Sequence, residues 1–210
     1  MRSERSSADT RNKILEVAEH EFAQAGFAGA HLQKIAGQVG VQKTALYYYF
    51  PSKAALYEAV LSRILEDLDH TLSRALDKPG SLEERLDRLL DGMNALLAER
   101  RNYSDILIRI FVDRVDISEP LRLLIVRVVG RLMVFFKEGI DAGVFVQASA
   151  RHMFQSCFGA MVFHYATGEF GAQVLGVDDI FTQSAVAWRR DEVRRLIARG
   201  VLRHPPPDEL

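Results

Sequence analysis

The sequence has 210 residues, 48% of them hydrophobic, with 27 basic and 28 acidic side chains and a formal net charge of −1. This length is sufficient for one small and one larger domain with a buried core. A single cysteine, Cys157, excludes a disulfide within the chain and is typical of a protein in a reducing cytoplasm. The most hydrophobic run, 123–136, contains Arg127 and Arg131, which argues against a membrane span and favours a buried helix.

The first predicted helix begins near Thr10 and places Ile14, Ala18 and Phe22 on one apolar face. Gly26 is its predicted end, because glycine is common where a helix stops. The residues before Thr10 are polar and lack the apolar stretch of a signal peptide, so we expect a short N-terminal arm.

The next segment is unusual in its charge. Between Phe22 and Tyr57 the sequence contains no acidic residue, and its only Lys or Arg side chains are Lys34, Lys43 and Lys53. A stretch of this kind in a nearly neutral protein favours contact with a polyanion, and DNA is the expected partner.

Apolar spacing within this segment predicts two short helices that cross at a steep angle. Gly40 lies at the turn between them, where a positive φ is needed. The unit runs from about Leu32 to Pro51, and its second helix, Gln42 to Tyr49, is the predicted recognition helix for a major groove. Tyr49 and Phe50 are expected in the core. The exposed positions of this helix are Gln42, Lys43, Thr44, Ala45, Tyr47 and Tyr48.

The remainder of the sequence is helical in pattern. Ser52 can cap a long fourth helix, and Ser81 with Glu84 forms a capping box that opens a fifth. Further helices are predicted at about 103–115, 118–140, 148–168 and 178–199. The sequence therefore predicts an all-α fold.

Residues Thr10 to Val60 contain the pattern TR..IL..A...F...GF, then IA...GV, then LY.YF.SK..L. This pattern resembles the N-terminal domain of the TetR family of transcriptional regulators. The resemblance implies about nine helices, with an N-terminal helix-turn-helix DNA-binding domain at 1–52 and a larger effector-binding and dimerisation domain at 53–210. It also implies a homodimer formed through the last two long helices, 148–168 and 178–199, that binds a palindromic operator.

The exposed positions of the recognition helix, together with the resemblance, predict DNA contacts at eight positions. His31 and Gln42 depart from the family, which more often has Ser or Thr at both places, so the operator of a relative is not assumed. Lys53, in the first turn of the fourth helix, is expected on a phosphate. For Lys34 the alternative to a DNA contact is a solvated lysine on the first helix of the unit. The predicted DNA-binding residues are Lys34, Gln42, Lys43, Thr44, Ala45, Tyr47, Tyr48 and Lys53.

A pocket for a small hydrophobic or amphipathic effector is expected among the middle helices, which are rich in large apolar side chains. For each of these side chains, ordinary core packing is the alternative. Polar groups such as Arg109, His164 and Tyr165 are candidates to orient the ligand. The predicted effector-binding residues are Met93, Arg109, Phe111, Phe135, Phe154, Phe158, Met161, His164 and Tyr165.

The expected function is a cytoplasmic, ligand-responsive repressor that leaves its operator when the effector binds. An enzyme is not expected, because His152, Cys157 and His164 are five and seven residues apart and no catalytic, metal or cofactor motif is present. Two alternatives remain open. One is a redox-responsive regulator acting through Cys157, and the other is a helical ligand-binding protein without specific DNA binding.

Overall fold

The protein, in a computed structural model, is described over residues 2–113 and 115–203, which contain ten α-helices and no strand. The all-α fold predicted from the sequence is confirmed. The helices are α1 Arg2–Gly29, α2 Leu32–Val39, α3 Lys43–Tyr49, α4 Lys53–Leu76, α5 Leu82–Glu99, α6 Tyr103–Val112, α7 Glu119–Asp141, α8 Ala150–Ala166, α9 Gly168–Leu175 and α10 Gln183–Val201.

Three helix boundaries differ from the sequence prediction. α1 begins at Arg2, so the residues expected to form a polar arm are part of a helix. The short α9 is additional to the nine helices expected and begins at Gly168, where φ is +51°. α10 begins at Gln183 rather than near residue 178, because the Thr182 side chain caps it by accepting a bond of 3.3 Å from the Ala185 N–H.

The predicted turn at Gly40 and two predicted caps are confirmed, whereas Gly26, the predicted end of the first helix, lies at a kink within α1, which ends at Gly29. Gly26 interrupts α1 with φ 69° and ψ 177°, and Gly40 ends α2 in the left-handed region at φ 82°. The Ser52 hydroxyl accepts a bond of 3.0 Å from the Ala55 N–H, and Ser81 with Glu84 forms the expected capping box.

The chain divides into two compact units. The first contains residues 1–65 and 102–124, and the second contains residues 66–101 and 125–210. The boundary predicted at residue 52 falls inside the first unit, because the first half of α4 and all of α6 belong to it. α4 and α7 each continue without a break from one unit into the other.

The first unit has an aromatic and aliphatic core. α1 packs against α2 and α6, and α2 packs against α3. Phe22 of α1 lies 4.9 Å from Tyr57 of α4, and Phe27 lies 5.2 Å from the same ring, measured between ring centroids. Ile35 and Leu46 are fully buried, so the two helices of the helix-turn-helix are held on this core.

The second unit is built on α5, which packs against α8 and α10. Phe135, Phe136 and Phe145 form a buried aromatic cluster, with ring centroids 5.5 to 6.3 Å apart. Val193 and Ile197 are buried on the inner face of α10.

Candidate nucleic-acid interface and effector cavity

The helix-turn-helix is α2, the turn at Gly40 and α3. The N–H groups of Gly40 and Val41 both donate to the carbonyl of Ala36 at 3.0 Å, which closes the end of α2. Gln42 precedes α3 in an extended conformation, and its side chain makes no capping bond. Gln42 therefore occupies the capping position without the bond that Ser or Thr would supply, which leaves its amide exposed.

The predicted recognition surface is exposed along α3. Gln42, Lys43 and Thr44 are exposed, and the Tyr47 and Tyr48 side chains are 42% and 82% exposed. Lys43 Nζ lies 5.9 Å from the centroid of the Tyr47 ring, within cation–π range. These residues form one surface that carries a positive charge and two phenol groups.

The remaining aromatic and small residues of α3 face inward to differing degrees. Ala45 and Tyr49 are half-buried, and Phe50 is buried as predicted. The Tyr49 ring packs edge-to-face on Tyr48, with centroids 5.3 Å apart. Ala45 is therefore the least accessible of the predicted DNA-binding residues on α3.

Lys34 is exposed to solvent, and its ammonium group also has a partner in the protein. It forms an ion pair with Glu21, a buried residue of α1. Burial raises the pKa of Glu21, and the hydrogen bond from Lys34 with that from the His31 backbone outweighs burial, so the net shift is downward. Lys34 therefore joins α2 to α1.

Lys53 is half-buried in the first turn of α4. Its ammonium group donates a bond of 2.9 Å to the carbonyl of Ala28 and lies 5.1 Å from the centroid of the Phe27 ring. Burial lowers the pKa of Lys53, and the charge of Glu21 partly opposes that shift. The position of this ammonium therefore depends on the residues that follow Gly26.

Arg109, predicted to orient an effector, belongs to the first unit and lies on the end of α1. Its Nε donates to the carbonyl of Ala23 at 2.9 Å, and an Nη donates to that of Gln24 at 3.1 Å. Asp113, which directly follows α6, accepts a bond of 3.0 Å from the Phe27 N–H. No local sequence pattern indicated this role of Asp113, since its partner is 86 residues away.

An apolar cavity of about 60 Å³ lies in the second unit, between α5, α7 and α8. Four of the predicted effector-binding residues line it: Met93, Phe154, Phe158 and Met161. The sequence interpretation missed the others, which are Leu86, Leu89, Leu90, Leu132, Phe136, Cys157 and Val162. The spacing of Leu132 and Phe136, four residues apart on α7, is the signal that could have revealed two of them.

Phe135 does not line the cavity. Its ring packs on Phe136 and Phe145, and the Arg85 guanidinium carbon lies 5.2 Å from its centroid. Phe111 lies on α6, but its side chain is outside the described residues.

His164 and Tyr165 lie near the end of α8 but are not among the cavity-lining residues. The Tyr165 hydroxyl donates a bond of 2.8 Å to Oδ1 of the buried Asn94, whose amide donates to the Val186 carbonyl at 3.3 Å. His164 Nε2 is buried and has no hydrogen-bond partner among the described residues. Burial and the charge of Arg189 lower the pKa of His164 to about 4, so the imidazole is neutral at neutral pH.

Arg127 and Arg131 of α7 pair with Asp69 of α4 and with Asp77, which follows α4, rather than with Glu138. Arg127 and Arg131 both contact Asp69, at 2.9 and 3.2 Å, and Arg131 also reaches Asp77 at 2.7 Å. Glu138 instead pairs with Arg85 at 2.7 Å. These ion pairs account for the arginines in the hydrophobic run.

Cys157 lines the apolar cavity and also a groove between α8 and α10. Burial raises the pKa of its thiol to about 11, which keeps the group protonated at neutral pH. This environment is opposite to that of redox-sensing cysteines, which have a lowered pKa. The structure does not favour the redox alternative.

α8 and α10 carry large apolar side chains on their outer faces. Phe163 is 64% exposed, and Trp188 and Leu196 are 47% and 65% exposed. Among the described residues, no group of three or more His, Cys, Asp or Glu side chains could hold a metal ion. None of the described helices is long and apolar enough to cross a membrane.

Comparison with known proteins agrees with this geometry. Residues 14–60 match the family model for bacterial regulatory proteins of the tetR family. The chain is also similar to the transcriptional regulator RutR of Escherichia coli, at 50% identity over 62 residues, which are 30% of this chain and 29% of RutR. The transcriptional repressor SCO4008 of Streptomyces coelicolor is 38% identical over 82 residues, 39% of this chain and 41% of that protein.

A solved structure extends the similarity of the fold. The ketosteroid transcriptional regulator KstR2 of Mycobacterium tuberculosis aligns over 92% of this chain and 95% of its own, with a TM-score of 0.68 at 17% identity. The chain is thus an all-helical protein with an N-terminal helix-turn-helix unit. Its residues 14–60 are similar to the tetR family of bacterial regulatory proteins, and the matched part of the chain spans 29% of the length of RutR and 41% of that of SCO4008.

Proposed function

We propose that the protein is a sequence-specific DNA-binding transcriptional regulator whose α3 enters the major groove of a palindromic operator. The observation that carries the proposal is the exposed surface of α3, where Lys43, Thr44, Tyr47 and Tyr48 project from a helix held on a buried core. The proposed activity is binding rather than catalysis, and such a regulator would work in the cytoplasm, beside genomic DNA.

Different contacts are proposed for different residues. Gln42, Lys43 and Thr44 lie at the N-terminal end of α3, the part of a recognition helix that contacts base edges. Tyr47 and Lys53 are proposed to bind phosphates, which position the protein without reading sequence. Tyr48 and the less accessible Ala45 are proposed as further contacts of α3.

Lys34 is proposed to lie near the DNA backbone and to contribute less to the affinity for DNA than an unpaired lysine would. Because Glu21 neutralises part of its charge, removing Lys34 should affect the stability of the first unit more than the salt dependence of DNA binding.

The proposed dimer forms through α8 and α10. A palindrome requires two recognition helices about 34 Å apart, and a two-fold dimer supplies that spacing. The exposed Phe163, Trp188 and Leu196 support the assignment, because an isologous interface buries such side chains. Sedimentation at micromolar concentration should show a dimer, and a monomer alone at that concentration would contradict the proposal.

A small hydrophobic effector with one polar end is proposed to occupy the cavity between α5, α7 and α8. Carbon and sulfur side chains line the cavity, and because its volume is about 60 Å³ an effector would have to displace bulky members such as Phe154, Phe158 and Met161. The name of KstR2 links that relative in fold to ketosteroids, which combine an apolar skeleton with a polar group.

A matched pair of variants tests the effector site. Leu132→Trp adds volume at the cavity, whereas Val134→Trp adds the same ring at a position that is 69% exposed on the same helix. Fatty acids, steroids and cationic aromatic amphiphiles would be titrated against the DNA complex. We expect one class to release DNA from the parent and from Val134→Trp but not from Leu132→Trp. Equal responses in both variants would contradict the site.

The proposed sign of regulation is repression relieved by the effector. The similar SCO4008 is named a transcriptional repressor. Release requires an effector that prefers the state that does not bind DNA, and a coupling of about 1–3 kcal/mol changes operator affinity about 5–150-fold. α4 is the proposed connection, because it continues as one helix from Lys53 into the second unit.

Selection of bound duplexes from random DNA by the full chain tests the proposed function. We expect enrichment of a palindrome with half-sites about one helical turn apart. A helical ligand-binding protein without specific DNA binding would enrich no sequence and would bind a shuffled duplex equally well.

A further inference from the structure

We propose that Arg109 of α6 and Asp113, which caps the end of α6, form a clamp on the end of α1 that sets the position of the Lys53 ammonium, an inference that rests on the proposed DNA binding. Neither residue need touch DNA. Both act through the short segment 26–28, and they are therefore positioning residues for the phosphate contact of Lys53.

The first half of the clamp is Arg109. The last carbonyls of a helix have no partner within it, and α1 is interrupted where Gly26 takes φ 69°. Arg109 supplies donors to two of these carbonyls, Ala23 at 2.9 Å and Gln24 at 3.1 Å. A cation at the C-terminal end of a helix is also favoured by the helix dipole.

The second half of the clamp is Asp113, which accepts the Phe27 N–H at 3.0 Å, directly after the interruption. A Cβ at position 26 would lie 2.9 Å from Arg109 Nη1 and 2.9 Å from Asp113 Oδ2. Gly26 therefore provides both the positive φ and the space in which these two side chains close over the turn.

The clamped segment holds Lys53. The carbonyl of Ala28 accepts the ammonium of Lys53 at 2.9 Å, and the ring of Phe27 lies 5.1 Å from the same nitrogen. An ammonium has three donors, so the bond to Ala28 is compatible with a phosphate contact. If the clamp opens, Phe27 and Ala28 are no longer fixed from α6, and the ammonium loses its defined position.

The test uses the full chain and the selected operator. Arg109→Gln and Asp113→Ala remove the two halves of the clamp, and Asp113→Asn restores an acceptor for the Phe27 N–H without the charge. Each variant is made in the parent and in a Lys53→Ala background. Operator affinity is measured over a range of salt concentrations, and circular dichroism and thermal unfolding check the fold.

We expect Arg109→Gln and Asp113→Ala to weaken operator binding by about 5–20-fold, and Asp113→Asn to stay within about twofold of the parent. Two lysines per dimer then lose a phosphate, so the log–log salt slope should fall by about 1.8, as it does for Lys53→Ala. In the Lys53→Ala background the clamp variants should have less than about a twofold effect.

Long-range charge does not explain this pattern, because Arg109→Gln and Asp113→Ala change the net charge in opposite directions. Arg122→Gln is the matched control, since Arg122 is exposed and, among the described residues, forms its ion pair within its own helix, with Glu119 at 3.3 Å. If the clamp variants weaken operator binding as much in the Lys53→Ala background as in the parent, the proposal is overturned. Parental affinity in folded Asp113→Ala or Arg109→Gln would also overturn it. If Arg109→Gln does not fold, the comparison of Asp113→Ala with Asp113→Asn decides alone.

Failure of the proposed function gives a different result. In that case the parent itself prefers no duplex over a shuffled one. The clamp is then tested by hydrogen exchange at the Phe27 amide, which should be at least about tenfold faster in Asp113→Ala and restored in Asp113→Asn. An unchanged exchange rate would overturn the clamp.

Discussion

Lys34 of α2 forms an ion pair with Glu21 of α1, although no acidic residue lies near Lys34 in the sequence. The Glu21 side chain is 2% exposed and the Lys34 side chain is 55% exposed. The positive charge of the exposed lysine therefore neutralises a buried carboxylate. The segment 23–56 contains no acidic residue, but the fold places the carboxylate of Glu21 beside Lys34. The ion pair of Lys34 holds α2 against α1, whether or not Lys34 also contacts DNA.

Replacement of Lys34 by alanine should destabilise the first unit. The change leaves Glu21 buried without its cation, and because Lys34 is half exposed we expect a loss of about 1–2 kcal/mol, less than for a fully buried pair. Urea unfolding measures the loss. Lys13→Ala, at an exposed position of α1, is the control and should change stability by less than about 0.5 kcal/mol. Equal effects of the two variants would show that the pair contributes nothing.

Tyr165→Phe should destabilise the second unit by about 1–2 kcal/mol, because it leaves Oδ1 of the buried Asn94 without its donor. Tyr57→Phe is the matched control. The Tyr57 hydroxyl is buried and has no hydrogen-bond partner in the described part of the chain, so its removal should be neutral or slightly stabilising. Thermal unfolding of both variants checks the prediction, and a larger loss for Tyr57→Phe would contradict it.

Stability should fall in mildly acidic solution because of His164. Its pKa is lowered from 6.5 to about 4 in the folded protein, so between these values the unfolded chain binds a proton that the folded chain does not. The contribution of the neutral His164 to the free energy of unfolding is complete above pH 6.5 and is lost as the pH falls towards 4. Allowing for partial exposure, we expect about 1–2 kcal/mol.

Unfolding of His164→Gln as a function of pH measures this contribution. The variant should have a flatter stability profile between pH 4 and 6.5 than the parent. His70→Gln, at an exposed position of α4, should keep the parental profile. A parental slope in His164→Gln would exclude His164 as its source.

Cys157 should react slowly with iodoacetamide in the native protein. With its thiol pKa raised from 9.0 to about 11, the thiolate fraction at neutral pH falls about 100-fold, and burial reduces access further. Mass spectrometry of the native and urea-unfolded chain compares the two rates. Comparable rates would restore the redox hypothesis, as would a response of DNA binding to peroxide that is lost in Cys157→Ser.

Local signals were sufficient to predict much of the fold. Gly40 predicted the turn because a positive φ at that place favours glycine, and Ser81 with Glu84 predicted the start of α5 because both bonds of a capping box lie within four residues. The exposed face of α3 was predicted from spacing alone. In each case the residues that determine the structure are neighbours in the chain.

Contacts between distant residues were not predictable in the same way. Arg109 was interpreted as an effector-binding residue from its chemistry, but its partners are carbonyls of Ala23 and Gln24, which carry no side-chain signal. Phe135 was chosen instead of Phe136 because periodicity does not separate adjacent positions on a helix that is apolar on more than one side. Such assignments require the tertiary structure.

Equilibrium binding of the selected palindrome by the parent and by a Lys43→Ala, Tyr47→Phe, Lys53→Ala variant is the most direct measurement of the central claim. At moderate salt we expect the variant to bind at least about 100-fold more weakly, with a log–log salt slope reduced by about 3 to 4 for the four lysines of a dimer. Circular dichroism should show that the variant is folded. A folded variant that binds the palindrome as tightly as the parent, with the same salt slope, would contradict the assignment of α3 and Lys53 to the DNA interface.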